Sequence, residues 1–327
     1  LAGGISAAGG SGASIIFKSK TTAELLSQTT VTAAGLTVTA QSEETITGAV
    51  AAAAGGSGAG AGSLLVIVAN AETKALTGSS CTISLTGNLT VQAKDLVTIS
   101  MTAGSVAAGG KAAGGAVAVL IFKNTVLAEI GGSNTIHAAG LTLTAESARK
   151  IKSYVVAGSA GGGAVSGSVL VLLVGSKTST DADTALKNGN TNTASAAQGQ
   201  VNAALKRSGE AGNSVLSVDV KGYFASAAAD TTTARIGSGT TIILTGNAFI
   251  RAKETTDLTA VSGAVAAGGV GAGGSVAVII LNGTTQAEIQ GTIRAADTVS
   301  ISAENIINGS SIQAKVGTAG LIGALGA

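Results

Sequence analysis

The chain has 327 residues, a net charge of +2 and only 11% charged residues. Its 19 basic and 17 acidic groups supply no basic field for nucleic acid, and one cysteine excludes an intrachain disulfide or a cysteine-based zinc site. With 49 glycines, no proline and 2% aromatics, the backbone amides are free for ladders and the interior must be narrow, filled by Ala, Val, Ile and Leu.

Three kinds of element recur along the chain. The first is a Gly/Ala-rich run ending in an aliphatic strand: GASIIF, then GSLLVIVA, GAVAVLIF, GSVLVLLV and GSVAVIIL. The second is TTAELL at 21–26, followed by ETKALT, VLAEIG, TTARIG and TQAEIQ. Its alanines are Ala23, Ala75, Ala128, Ala234 and Ala287, separated by 52, 53, 106 and 53 residues. The third is LTVTAQSE, followed by LTVQAKD, LTLTAES, FIRAKE and VSISAEN, anchored on Ala40, Ala93, Ala145, Ala252 and Ala303. Each anchor lies 16 to 18 residues after its partner. LTVTA and LTLTA alternate Leu, Val and Ala with Thr, the period of a half-buried strand. A repeat of about 52 residues with strands every ~17 predicts an all-β parallel solenoid with about three coils per repeat, each pairing with the next.

The Gly-rich runs invite two other readings. GAVAAGGVGAGGSVAVIIL, residues 263–281, is long enough for a membrane helix, as are 47–69 and 153–176. These runs are broken by glycines and lack the flanking Lys/Arg and aromatic residues of a span. Gly269, Gly271 and Gly274 match G-x-G-x-x-G, yet a β-rich VAVIIL follows where a dinucleotide site needs a helix. The structural reading is preferred: small residues let backbone pass close to backbone, and the aliphatic tail is a buried strand.

The doubled interval holds an exception. Within KNGNTNTASAAQGQVNAALKRSGEAGN, residues Ala194, Ala197, Val201, Ala204 and Leu205 share one helical face. Thr193 suits the N-cap and Gly209 the C′ position, which predicts a short amphipathic helix over about 193–208. The expected organisation is solenoid repeats over 1–186, an insertion over 187–229 and further repeats over 230–327.

No constellation of catalytic, cofactor-binding or metal-ligating residues stands out, so the expectation is none of each and a non-enzymatic chain. His137 is the sole histidine, read as a solvated turn residue, and Cys81 as a small buried side chain. Glu43, Asp95, Glu146, Glu254 and Glu304 follow the third-element alanines by one to three positions and read as a solvated row at a strand end. Asp181 and Asp183 form a close acid pair, too small a set for a calcium site. Chance explains the sequons at Asn88, Asn282 and Asn308.

Repeats such as GAGGSVAVIILNGTTQAEIQGTIRAADTVSISAEN resemble those of very large filamentous-haemagglutinin-like and leukotoxin-type adhesins of Gram-negative bacteria. The resemblance covers almost the whole chain except about 187–229 and rests on repeat texture. It implies a right-handed parallel β-helix, export by an outer-membrane secretion partner and an extracellular role at the bacterial cell surface. The expected function is a shaft segment of a secreted adhesin; the alternative is a self-assembling filament or surface layer. Expected partners are neighbouring repeats or copies of the chain and a host or bacterial surface receptor, with no nucleic acid. Residues 1–16 and 311–327 begin or stop in mid-repeat without a capping element, so a segment of a longer chain is expected.

Overall fold

The computed structural model describes residues 2–175, 230–320 and 325–326. Among these residues all regular structure is β-strand. Six long strands stack in parallel in the order β1 (Ala2–Leu25), β3 (Leu36–Thr77), β5 (Leu89–Ile130), β7 (Leu141–Val174), β10 (Ala248–Leu281) and β13 (Val299–Gly320). A second parallel sheet stacks the four-residue strands β2 (Thr30–Ala33), β4 (Thr82–Leu85), β6 (Thr135–Ala138), β9 (Thr241–Leu244) and β12 (Thr292–Ala295). The chain is a parallel β-solenoid, as the repeat predicts.

The register corrects the expected number of coils. Leu36 pairs with Leu89, Leu89 with Leu141, and Leu141 with Ala248. Each residue therefore meets its equivalent one full repeat away, and one coil consumes about 52 residues. The ~17-residue spacing measures stations around a single coil. The long strands make this possible by folding back on themselves. Ser262 and Ser275 hydrogen-bond at 3.0 Å although an extended 13-residue segment spans about 43 Å. Each coil thus has a first leg, a Gly-rich bend, a second leg and a short third side.

Glycine at the bend answers a steric demand. Gly56, Gly109, Gly161 and Gly268 occupy one ladder position. A Cβ on Gly109, Gly161 or Gly268 would lie 1.7 to 1.8 Å from the carbonyl oxygen of the glycine one coil earlier. The run at 263–281 is the end of one leg, the bend and the start of the other. No described helix is long and apolar enough to cross a membrane.

Two apolar cores fill the coil. Between the legs lie Ile67, Ile99, Leu120, Leu172 and their neighbours. The end closed by the short strand contains the anchor alanines: Ala40, Ala93, Ala145 and Ala252 pair in register and are all buried, as are Ala75, Ala128 and Ala234. Turns into the short strand share a left-handed residue, Gln28, Ser80, Ser133 or Gly239, with φ of 59° to 73°. Asn134 braces this turn: its Oδ1 accepts from the Cys81 N–H at 2.6 Å and its Nδ2 donates to the carbonyls of Gly78 and Gly131.

The fourth coil is interrupted in its second leg. β7 stops at Val174, and β8 (Asp230–Ile236) resumes pairing with the last part of β5. Gly175, at φ +64°, donates its N–H to the Phe122 carbonyl, and its would-be Cβ lies 2.3 Å from that of Asp230. The chain leaves and rejoins the ladder at touching residues. β11 (Gly283–Ile289) continues the pattern beyond β8. The expected helix over 193–208 lies outside the described residues.

Candidate functional site

The most chemically distinctive part of the described chain is a polar seam between the two apolar cores. Strand parity places it. On the first leg, positions two and four past the anchor alanine point inward: Asp95 and Val97, Ser147 and Arg149, Glu254 and Thr256. On the second leg, positions two and four before the other anchor do the same: Thr73, Asn124, Asp230 and Thr232. All these side chains are buried.

Arg149 is the centre. Its guanidinium pairs with the Asp230 carboxylate and, at 2.9 Å, with Glu254, and lies 5.5 Å from the centroid of the Phe122 ring. Asp230 also accepts from the Asn124 backbone N–H at 2.9 Å. Asn124 donates its side-chain amide to Asp95 at 2.6 Å and to Ser147 at 3.1 Å. Thr73 donates to Asp95 at 3.0 Å, and Thr285 to Glu254 at 3.2 Å. Glu44, in the neighbouring coil, accepts from Ser42.

Four acids and one arginine share this interior, so full ionisation would leave a large uncompensated negative charge. Burial, with the Glu44 charge adding to it, pushes the Asp95 carboxyl up to about 6 despite hydrogen bonds from Thr73 and Asn124. Burial also pushes Asp230 up to about 6, with Arg149 opposing and Glu254 reinforcing the rise. A 140 Å³ cavity beside Arg149, Asp230 and Glu254 opens at the point where the ladder is interrupted. Arg149 Nε and Asn124 Oδ1 have no protein hydrogen-bond partner. What the arrangement does physically is fix position: each buried polar group tolerates only the register that supplies its partner.

The seam divides the acidic row expected from the sequence. Glu43 and Glu304 are exposed and Glu146 is half-buried, whereas Asp95 and Glu254 are interior. The reason is parity: Asp95 and Glu254 stand two residues past their alanines, the others one or three. Arg149 went unrecognised, although its even offset of four from Ala145 was the available signal. His137 is exposed but lies in β6 rather than in a turn, and Cys81 is buried, its Sγ 3.3 Å from the Leu26 carbonyl. Gly269, Gly271 and Gly274 lie in β10, with no helix after them. Asp181 and Asp183 lie outside the described residues. Among the described residues no group of three or more His, Cys, Asp or Glu side chains could hold a metal ion.

The fold and its seam define a parallel β-solenoid with an interrupted coil. Comparison with known protein families, with curated proteins and with solved structures gives no match.

Proposed function

We propose that this chain is a non-enzymatic shaft segment of a secreted bacterial surface adhesin. The observation that carries the reading is the in-register stacking of whole coils, with like residues on like positions from β1 to β13. Each added coil lengthens such a body by about 4.8 Å without changing its cross-section. The outer face of the first leg stacks Thr37, Thr90 and Thr142 in register beside other polar and apolar side chains, and the interior between the legs and behind the short strand is filled by aliphatic side chains. The resemblance of the repeats to filamentous adhesins supports the surface location, the outer-membrane secretion partner and a receptor bound elsewhere on the protein.

In-frame removal of residues 36–88, one coil by register, tests this in the source cells. A shaft keeps surface display and adhesion, and electron microscopy shows an otherwise unchanged fibre. Loss of adhesion with display intact would instead place receptor binding in these coils. Fibres formed by the purified chain alone would favour a self-assembling filament.

A further inference from the structure

The outer face of the first leg becomes uncharged as it approaches the bend. Residues 49–55, 102–108, 154–160 and 261–267 lie in register on four successive coils and include no Asp, Glu, Lys or Arg. Two neighbouring outward rows run along the coils here, and their side chains alternate in opposite phase. One row reads Gly104, Val156, Gly263; the other, two residues on, reads Val106, Gly158, Val265. The valines stand clear of the surface, at 58% exposed for Val106, 50% for Val156 and 52% for Val265. The glycines between them are not demanded by the chain's own packing. A Cβ on Gly104, Gly158 or Gly263 would lie 4.0, 3.7 or 3.8 Å from the nearest atom, an ordinary contact. On Gly109, Gly161 or Gly268 it would lie 1.7 to 1.8 Å from a carbonyl oxygen. Glycine in a strand interior costs stability, so these sockets weaken the strand without relieving any contact within it.

We infer that this face pairs with the same face of a second copy, about a two-fold axis parallel to the solenoid and midway between the two rows. That rotation lays each row on the partner's other row at the same coil. Val106 then seats on the partner's Gly104, Val156 on the partner's Gly158 and Val265 on the partner's Gly263, and each contact occurs twice. The rows on either side obey the same rule: Tyr154 and Val261 meet the partner's Ala160 and the partner's Ala267. A partner with a uniform surface would leave half the sockets empty. An alternating surface with the same period of about 4.8 Å per coil fills them all, and the chain itself carries one. The matching area is roughly 23 Å by 19 Å, so the pair buries on the order of 900 Å² in total, the size of a weak, reversible contact. An isologous contact of this kind closes on itself, so it joins two solenoids side by side and builds no fibre. The pairing stands whether or not the chain is an adhesin shaft.

Sedimentation of the purified chain tests the inference. It should show a monomer–dimer equilibrium in the micromolar range or weaker. Gly158→Val sets a valine against the partner's Val156 and should weaken the dimer at least about tenfold. Val156→Gly with Gly158→Val exchanges knob and socket within the coil and should restore the dimer to within about threefold of the parent. An apolar patch without this register gives the reverse for Gly158→Val, which adds exposed apolar surface. Circular dichroism checks that each variant keeps its β-sheet. If Gly158→Val does not fold, Gly104→Val and its combination with Val106→Gly carry the same test one coil earlier. A chain that is monomeric at about 1 mM overturns the inference. So do a Gly158→Val dimer as tight as the parent, failure of the exchange to restore the dimer, or open fibres in its place.

Discussion

The backbone at Gly161 passes so close to Gly109 that a Cβ on Gly161 would lie 1.7 Å from the Gly109 carbonyl oxygen. Gly163, two residues on, has no atom within 4 Å of its would-be Cβ. The pair isolates close approach from composition. Gly161→Ala should lower stability by more than about 2 kcal/mol, because coil spacing is set by the ladder and cannot widen locally. Gly163→Ala should stay within about 0.5 kcal/mol of the parent. Thermal denaturation followed by circular dichroism compares them; equal losses would contradict the bend.

Arg149 and Arg235 contrast a buried with a surface ion pair. Arg149→Met leaves Asp230 and Glu254 buried without their cation and should destabilise by about 3–5 kcal/mol. Arg235→Gln removes a cross-coil pair with Glu129 at 2.9 Å on a half-exposed surface and should shift stability by less than about 1 kcal/mol. Denaturant titration of both variants reads the difference.

The pH dependence runs against the usual direction for carboxylates. Asp95 and Asp230 titrate near 6 when folded, above the ordinary value of 3.8, so the folded chain holds these protons more tightly than the unfolded chain. Their contribution to stability is fully present below about pH 4, falls as pH rises through about 6, and is level above, a change on the order of a few kcal/mol. Glu72, held below its ordinary value by Lys74, works in the opposite sense but lies near the surface. Asp95→Asn should flatten part of the slope. Stability that climbs steadily from pH 4 to 7 would contradict the assignment.

Cys81 should resist alkylation in the folded chain and react fully after denaturation, since its thiol is enclosed. His137→Ala should leave stability within about 0.5 kcal/mol, because the ring projects from an outer strand face. Mass spectrometry after labelling and a melting curve suffice for the two.

The solenoid class was legible because Ala23 and Ala40 each recur at nearly constant intervals, and equal intervals let equal side chains stack. The coil length was not legible from spacing alone. A strand at Leu36 and another at Leu64 look the same whether they belong to stacked coils or to facing legs; only the bend at Gly56 decides. The seam was half legible. Counting parity from Ala93 and Ala252 points Asp95 and Glu254 inward, but nothing in the local sequence says that Arg149 will meet Asp230, 81 residues away and beyond the interruption.

The touching of Gly175 and Asp230 has a consequence for how such a protein can diversify. A ladder that parts and rejoins between neighbouring atoms works as a bracket, indifferent to the size of what it encloses provided that the two ends meet. Coil number and bracketed content then become separate dials. Duplicating a 52-residue unit changes reach and leaves the passenger alone, while exchanging the passenger leaves every coil in phase. Variation can accumulate in one without being paid for in the other.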